Sequence, residues 1–191
     1  MCEEDEHFEG EKYRLSDNWY EFLQLHNYSN RPIKYLEIGS FYGANIISVA
    51  KSYGINNQSE LFCIDPYIDY DDYDEYKNKQ EKTYETFLKN IEPYSDKIKH
   101  IRNFSHKQIP NFEDDFFDII YIDGNHDPSF VLEDAVLSFR KLKPGGILIF
   151  DDFGWHGVYE TTRGIIGFID AYNKKIQYLG EKETQVFIRK L

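Results

Sequence analysis

The chain has 191 residues, of which 34 are acidic and 22 basic, so its formal charge is −12. This length suits a single compact domain, and the negative charge disfavours broad DNA or RNA binding because a phosphate backbone would be repelled on average. Aromatic residues make up 17% of the chain, which excludes disorder as a description of the whole protein.

The composition also bears on location. The first residues, Met1 to Glu6, contain neither the basic region nor the apolar stretch of a signal peptide. No apolar run approaches the roughly 18 residues needed to cross a bilayer. Cys2 lies near the terminus and Cys63 in an apolar run, so no disulfide is expected. We predict a cytoplasmic protein that does not enter a membrane.

Apolar spacing predicts strands alternating with helices. Residues 1–14 are polar and predict a loose arm, and Ser16 is expected to cap a helix over residues 17–26. The predicted strands are residues 33–39, 60–65, 98–102, 117–123, 147–150, 176–180 and 185–189. The other predicted helices are residues 43–53, 80–90, 129–141 and 159–172. The acid-rich residues 67–78 predict an exposed loop or lid.

This order of elements predicts an α/β protein with a doubly wound, Rossmann-like fold. The expected sheet is mostly parallel and seven-stranded, with an antiparallel C-terminal edge strand and helices on both faces. Residues 1–30 are interpreted as an N-terminal arm and helix, and residues 31–191 as the domain itself.

Polar residues stand where the predicted strands end. In an open α/β sheet, ligands bind in the crevice beyond the carboxyl ends of the strands. The residues at those ends are Glu37 and Gly39, Asp65, Asn103 and Ser105, Asp123, and Asp151 and Asp152. We therefore expect the functional site at that edge of the sheet.

The loop from Glu37 to Gly43 differs from a dinucleotide-binding loop, because Glu37 and Tyr42 stand where that motif has glycines. A carboxylate would repel a pyrophosphate, but it suits a ligand that carries an ammonium and a sulfonium group. A tight turn that binds nothing is an equally open interpretation. Asp65 follows Gly39 by 26 residues, a position from which an acid can accept hydrogen bonds from a ribose diol. In the alternative interpretation, Asp65 caps a helix or lies in a solvated turn.

Asp123, Asp151 and Asp152 would converge if the fourth and fifth strands were neighbours. Such carboxylates repel one another unless a cation or proton compensates them, and oxygen ligands favour Mg²⁺ or Ca²⁺. In the alternative, one aspartate caps a helix while another faces solvent. His126, three residues after Asp123, is a candidate general base. His156 could be a base, a ligand or neither.

Taken together, these residues resemble the class I S-adenosylmethionine-dependent methyltransferases. The resemblance rests on the loop Glu37 to Gly43, on Asp65-Pro66, on Asp123-Gly124-Asn125-His126, and on Asp151-Asp152. The last two motifs are similar to a branch with D-G-x-H and D-D motifs, which contains small-molecule and sugar O-methyltransferases, some of them Mg²⁺-dependent.

The resemblance implies a role for each candidate residue. Glu37, Gly39, Ser40 and Gly43 would hold the methionine end of S-adenosylmethionine, Asp65 its ribose, and Asn103 and Ser105 would lie near its adenine. Asp123, Asp151 and Asp152 would bind a divalent metal, most simply Mg²⁺. Asp123 is also expected to contact the cofactor and, with His126, to take part in catalysis.

The implied reaction is an in-line methyl transfer to a hydroxyl of a small molecule, such as a sugar or polyol. The metal would lower the pKa of that hydroxyl, and His126 would accept its proton. A metal-independent methyltransferase, a nucleotide-dependent oxidoreductase and a non-catalytic binding or interaction module remain open alternatives. A homo-oligomer is a further expectation, whereas a nucleic-acid partner is not expected.

Overall fold

The computed structural model describes residues 8–69, 77–155 and 159–191. Its strands are β1 (Lys34–Ile38), β2 (Glu60–Ile64), β3 (Ile98–Ile101), β4 (Phe117–Ile122), β5 (Leu142–Phe150), β6 (Ile176–Lys182) and β7 (Gln185–Lys190). Its α-helices are α1 (His26–Ser29), α2 (Ala44–Lys51), α3 (Gln80–Ile91), α4 (Ser105–Gln108), α5 (Pro128–Lys141) and α6 (Tyr159–Tyr172). Short 3₁₀ helices span Leu15–Glu21, Glu92–Tyr94 and Ile109–Asn111.

The strands form one seven-stranded sheet in the order β3-β2-β1-β4-β5-β7-β6. Neighbouring strands among β1 to β5 pair in parallel, and β7 pairs antiparallel with both β5 and β6. The predicted fold class is confirmed. The antiparallel edge is formed by a pair of strands, because the last strand of the chain lies between β5 and the outermost strand, β6.

Both faces of the sheet are covered, which explains the apolar runs in its strands. All six residues of β4 are buried, as expected for a parallel strand with helices on both sides. Tyr35 of β1 packs with residues of α2 and α3 on one face. Leu36, the next residue, packs with residues of α5 and α6 on the other face. No helix in the described part of the chain is long and apolar enough to cross a membrane.

The predicted helix over residues 17–26 is wrong. The chain forms a 3₁₀ helix over Leu15–Glu21 and then the short helix α1. In a 3₁₀ helix residues three apart share one side, which here buries Ser16 and Trp19 together. Ser16 caps nothing, because its hydroxyl donates to the hydroxyl of Ser48 and its backbone N–H to Asn45 Oδ1.

The bounds of strand β5 also differ from the prediction. Strand β5 begins at Leu142, five residues before the predicted start at residue 147, because Phe117 of β4 already pairs with Leu142. Within the lid predicted at residues 67–78, residues 70–76 lie outside the described part of the chain, as does His156.

Candidate functional site

A cavity of about 460 Å³ lies at the carboxyl ends of the central strands. Its walls include residues 39–42 of the loop after β1, Asp65 after β2, residues 123–126 after β4, and Asp151 and Asp152 after β5. The cavity is therefore where the sequence places the site, at the edge where an open parallel sheet presents its strand ends.

Gly39 joins the strand ends that form this cavity. Its N–H donates to the carbonyl of Ile64 over 2.9 Å, and the N–H of Asp123 donates to the carbonyl of Ile38 over 2.9 Å. The backbone of Gly39 has a φ of +83°, and a Cβ atom built on it would lie 1.8 Å from the carbonyl oxygen of Asp123. Only glycine fits this position, because both the conformation and the space exclude a side chain.

Glu37 is buried at the floor of the cavity. Its carboxylate accepts hydrogen bonds from the hydroxyl of Tyr35 over 2.6 Å and from Asn45 Nδ2 over 2.9 Å. Burial raises the pKa of Glu37 to about 8, although these two hydrogen bonds act in the opposite direction. The floor of the cavity therefore holds a carboxyl group that keeps its proton in most molecules at neutral pH.

This raised pKa predicts a pH dependence of stability. Between pH values of about 4.5 and about 8, the folded protein keeps the Glu37 proton while the unfolded chain has released it. The free energy of unfolding should therefore fall as pH rises through this window, by at most about 1.4 kcal/mol per pH unit for this group. Urea unfolding at several pH values should show a shallower fall in Glu37→Gln than in the parent.

Other carboxyls shift in the same direction, so the difference between parent and variant is the quantity to measure. Glu60→Gln is the matched control, because hydrogen bonds from Lys34 and then Lys99 lower the pKa of Glu60. It should leave the slope between pH of about 4.5 and about 8 unchanged. Equal slopes in the parent and Glu37→Gln would contradict the assignment.

Asp65 binds the backbone of the neighbouring loops. Its Oδ2 accepts from the N–H groups of Ser40 and Phe41, at 2.9 and 3.2 Å, and its Oδ1 from that of Tyr67 at 2.9 Å. Burial raises the pKa of Asp65, and these hydrogen bonds oppose the rise. The residue thus fixes the loop after β1 while it lines the cavity.

Asp151 is the most extensively hydrogen-bonded acid of the site. It accepts from the hydroxyl of Tyr121, from Thr184 Oγ1 over 2.7 Å, and from the N–H of Asp152 over 2.7 Å. Gln185 Nε2 lies 3.4 Å from its Oδ2. Thr184 and Gln185 come from the start of β7 and the turn before it, so the C-terminal strand helps to fix this carboxylate.

Asp152 faces His126 across the cavity wall. Its Oδ2 lies 3.0 Å from Nε2 of His126, and both side chains are more than four-fifths buried. Asp152 has a φ of +59°, a backbone conformation that is uncommon for residues other than glycine. A carboxylate in this position orients the imidazole and stabilises the imidazolium that forms when it accepts a proton.

The arrangement of these acids does not fit a metal ion as it stands. Within residues 8–69, 77–155 and 159–191, no group of three or more His, Cys, Asp or Glu side chains is arranged to hold one. Asp151 is satisfied by hydrogen-bond donors and Asp152 faces His126. Desolvation, then the charges of Asp151, Asp152 and Glu37, raise the pKa of Asp123. The predicted metal site therefore stays a prediction.

Asn103 and Ser105 are not among the residues that line the cavity. Asn103 Oδ1 accepts from the N–H of Phe104 over 2.8 Å, and the side chain of Ser105 hydrogen-bonds to the buried Asp134. Gly43, which is also absent from the cavity lining, precedes α2 with a φ of +86°, and a Cβ built on it would lie 3.1 Å from the ring of Phe87. Their predicted cofactor contacts stay predictions.

Sequence reasoning missed one wall of the cavity, which comes from the predicted loose arm. We call residues 8–15 the N-terminal strap; its Glu11, Tyr13 and Leu15 line the cavity. Asn90 of α3 holds the strap, accepting from the N–H of Glu9 over 2.9 Å and donating to the carbonyls of Glu9 and Tyr42 over 2.8 and 2.9 Å. Gly10 marks the place where the strap approaches Tyr42: its φ is +98°, and a Cβ atom built on it would lie 2.6 Å from the ring of Tyr42.

Comparison with known proteins identifies related domains. A family described as a methyltransferase domain matches residues 36–153. Uncharacterized protein R132 of Acanthamoeba polyphaga mimivirus is 26% identical over 129 residues, which cover 63% of this chain and 52% of R132. The chain thus spans about half the length of that curated relative.

Solved structures share the fold. A candidate rRNA methylase from Clostridium thermocellum is 14% identical with a TM-score of 0.64, and the match covers 96% of this chain and 98% of that one. The MycE methyltransferase of the mycinamycin biosynthetic pathway, solved with Mg, SAH and mycinamycin VI, is 20% identical with a TM-score of 0.57. That match covers 87% of this chain and 47% of MycE.

Proposed function

The chain belongs to the family of methyltransferase domains matched over residues 36–153, and from that membership we propose that it methylates a hydroxyl of a small polar molecule such as a sugar or polyol. S-adenosylmethionine is the methyl donor in this proposal. The observation that carries it is a single cavity that contains the glycine loop after β1, Asp65, and the paired His126 and Asp152.

The cofactor end of the cavity is formed by the loop after β1. Ser40 is buried in this loop, and no nitrogen or oxygen atom of the described residues hydrogen-bonds to its Oγ, which contacts the weakly polar thiol of Cys63. This hydroxyl can therefore bind a ligand in the cavity. Gly39 lets the methionine part of the cofactor approach the backbone closely. Asp65 has remaining acceptor capacity for a ribose diol, because two carboxylate oxygens offer about four lone-pair sites and three N–H groups use three.

The transfer itself needs a base and an in-line approach. His126 accepts the hydroxyl proton, the acceptor oxygen forms a bond to the methyl carbon, and the carbon–sulfur bond breaks with its electron pair going to sulfur. The products are a methyl ether, S-adenosylhomocysteine and an imidazolium ion, which the carboxylate of Asp152 stabilises at 3.0 Å. Asp151, held by Tyr121 and Thr184, keeps the neighbouring Asp152 in place.

Small molecules are favoured over nucleic acid as acceptors. The described residues that line the cavity include no lysine or arginine, and the whole chain carries a charge of −12. Phosphate contacts by cationic side chains supply most of the affinity of nucleic-acid-binding proteins. The similarity to a candidate rRNA methylase is a similarity of fold and does not indicate the acceptor. The charges of the cavity favour a small molecule as the acceptor.

Metal assistance is the second candidate. Desolvation, and then the negative charges of Asp151 and Asp152, raise the pKa of Asp123. A bound cation would relieve the repulsion among these three carboxylates, which favours this candidate. MycE was solved with Mg and SAH. Because the described carboxylates form no three-ligand cluster, we assign the proton transfer to His126 and route none of it through a metal.

Calorimetric titration of S-adenosylmethionine and S-adenosylhomocysteine, followed by transfer assays on a panel of sugars and polyols, tests the proposal. We expect micromolar binding of both compounds, with at least a tenfold loss in Asp65→Ala, which removes the predicted ribose contact. Addition of EDTA should leave binding and transfer unchanged within about twofold. Complete loss of transfer in EDTA, restored by Mg²⁺, would select the metal-assisted alternative. Failure of both compounds to bind would overturn the proposal.

A further inference from the structure

Acidic side chains predominate in the lining of the cavity. Its lining includes six acidic residues, which are Glu11, Glu37, Asp65, Asp123, Asp151 and Asp152. Glu37 is mostly protonated at neutral pH and the pKa of Asp123 is raised as well, so the negative charge lies mainly on the other four. None of the described lining residues is a lysine or arginine, and the basic side chain among them, His126, faces Asp152. An anionic ligand entering this cavity would meet repulsion with no cationic side chain to compensate it.

S-adenosylmethionine accounts for only part of this charge. Asp65 and Asp152 follow β2 and β5, which are three strand spacings apart in the order β2-β1-β4-β5. Three spacings amount to about 14 Å, so these acids stand at opposite ends of the site. In the proposed arrangement the cofactor's ammonium group lies near the end of β1, whereas its sulfonium group lies next to the acceptor hydroxyl. Asp123, Asp151 and Asp152, which follow β4 and β5, line the acceptor end of the cavity.

Aromatic side chains border the same cavity. Trp155 after β5 is 41% exposed and Tyr13 of the strap is 61% exposed, and both line it. Indole and phenol rings attract cations through their electron-rich faces, most effectively where water is partly excluded. Aromatic walls together with carboxylates form an environment that favours an organic cation over a neutral or anionic molecule.

We propose that the acceptor is an amino alcohol, in which a protonated amine lies close to the hydroxyl that receives the methyl group. The proposal rests on the methyl transfer proposed above and adds the charge class of the acceptor. A neighbouring ammonium also lowers the pKa of the hydroxyl, because it stabilises the negative charge that develops on oxygen as His126 accepts the proton. The same charges disfavour phosphorylated and carboxylated acceptors at the β4 and β5 end of the cavity.

Three probes with one ring skeleton test this charge preference. They are 2-aminocyclohexanol, cyclohexane-1,2-diol and 2-hydroxycyclohexanecarboxylate, which are cationic, neutral and anionic at neutral pH. Each is titrated at millimolar concentration into the full chain saturated with S-adenosylhomocysteine. We expect the amino alcohol to bind at least tenfold more tightly than the diol, and the carboxylate not to bind. Added salt should reduce the preference.

A charge reversal within the strap tests whether the preference for the amino alcohol arises from the charge of the cavity wall. Glu11→Lys should reduce the preference for the amino alcohol over the carboxylate by at least tenfold, because it places a cation on the cavity wall. Glu9→Lys makes the same change two residues away, where the side chain does not line the cavity, and should leave the preference unchanged within about twofold. An equal effect of both variants would overturn the proposal.

The outcomes separate this proposal from the methyl transfer itself. If the amino alcohol binds preferentially but S-adenosylmethionine delivers no methyl group to it or to the sugar panel, the charge class stands and the transfer proposal fails. If neutral polyols are methylated while the amino alcohol binds no better than the diol, the transfer stands and the charge class is overturned. Failure of the amino alcohol to bind at millimolar concentration also overturns the charge class. Mass spectrometric fragmentation shows whether a transferred methyl group is on oxygen or nitrogen.

Discussion

Replacement of Gly39 by alanine is expected to lower the free energy of unfolding by about 3–5 kcal/mol and to abolish cofactor binding. The new Cβ would lie 1.8 Å from the carbonyl oxygen of Asp123, which is backbone and cannot move as a flexible side chain would. Relief of this clash would separate the ends of β1 and β4, and with them Glu37 from His126. Urea unfolding and calorimetric titration of S-adenosylhomocysteine measure the two effects.

Gly145→Ala is the matched control for this substitution. Gly145 has a φ of +77°, close to the +83° of Gly39, but nothing lies within 4 Å of a Cβ built on it. It also precedes the core of β5, at the edge of the sheet remote from the cavity. Gly145→Ala should lower the free energy of unfolding by about 1–2 kcal/mol, because only the backbone conformation becomes unfavourable, and should leave the affinity for the cofactor unchanged. Equal losses in the two variants would show that strain, not the close approach to Asp123, determines the effect.

The second large effect is expected for His126→Asn, which should lower kcat by about 10²- to 10⁴-fold. The Kd of S-adenosylhomocysteine should remain within about threefold of the parent value, because the cofactor contacts proposed above involve other residues. The pH dependence of kcat should also change, since the variant lacks the group proposed to accept the proton. Asp152→Asn should have a smaller effect in the same direction, because it removes the partner that orients the imidazole at 3.0 Å.

His106→Asn provides the matched control. His106 lies on α4, where its ring packs 5.5 Å from that of Phe104, and it does not line the cavity. This variant should retain kcat within about twofold. If His126→Asn also retains full activity, then the proton leaves the acceptor by another route. In that case the metal-assisted alternative, tested with EDTA and Mg²⁺, would replace the assignment.

The fold could be predicted from the sequence because its four central strands, β2, β1, β4 and β5, are rich in apolar residues and are followed by turn or acidic residues. β4 illustrates this, since six buried residues are followed directly by Asp123 and Gly124. The region before β1 could not be predicted in the same way. The apolar spacing around Trp19 suits an α-helix, but contacts of Trp19 with Tyr35, Tyr53 and Tyr121 are made in a 3₁₀ helix. Tertiary packing here outweighs the local pattern.

The site was predictable at the level of strand ends but not of side-chain partners. Parallel strands place Glu37, Asp65, Asp123, Asp151 and Asp152 at one edge, and all of them line the cavity. The pairing of Asp152 with His126 involves a residue with a positive φ, and Asp151 is held in part by Thr184 and Gln185 from the C-terminal end of the chain. Spacing along the sequence reveals neither contact. The strap was missed because a polar segment without periodicity gives no sign that Asn90 will hold it.

The position of β7 has a consequence for synthesis on the ribosome. The N-terminal part of a chain leaves the ribosome first, so β5 is complete before its neighbour β7 (Gln185–Lys190) has been synthesised. Until then β5 is an open sheet edge able to pair with other chains, and Asp151 lacks Thr184 and Gln185. A nascent chain stalled before residue 184 should therefore contain every acid of the cavity and still be unable to assemble it.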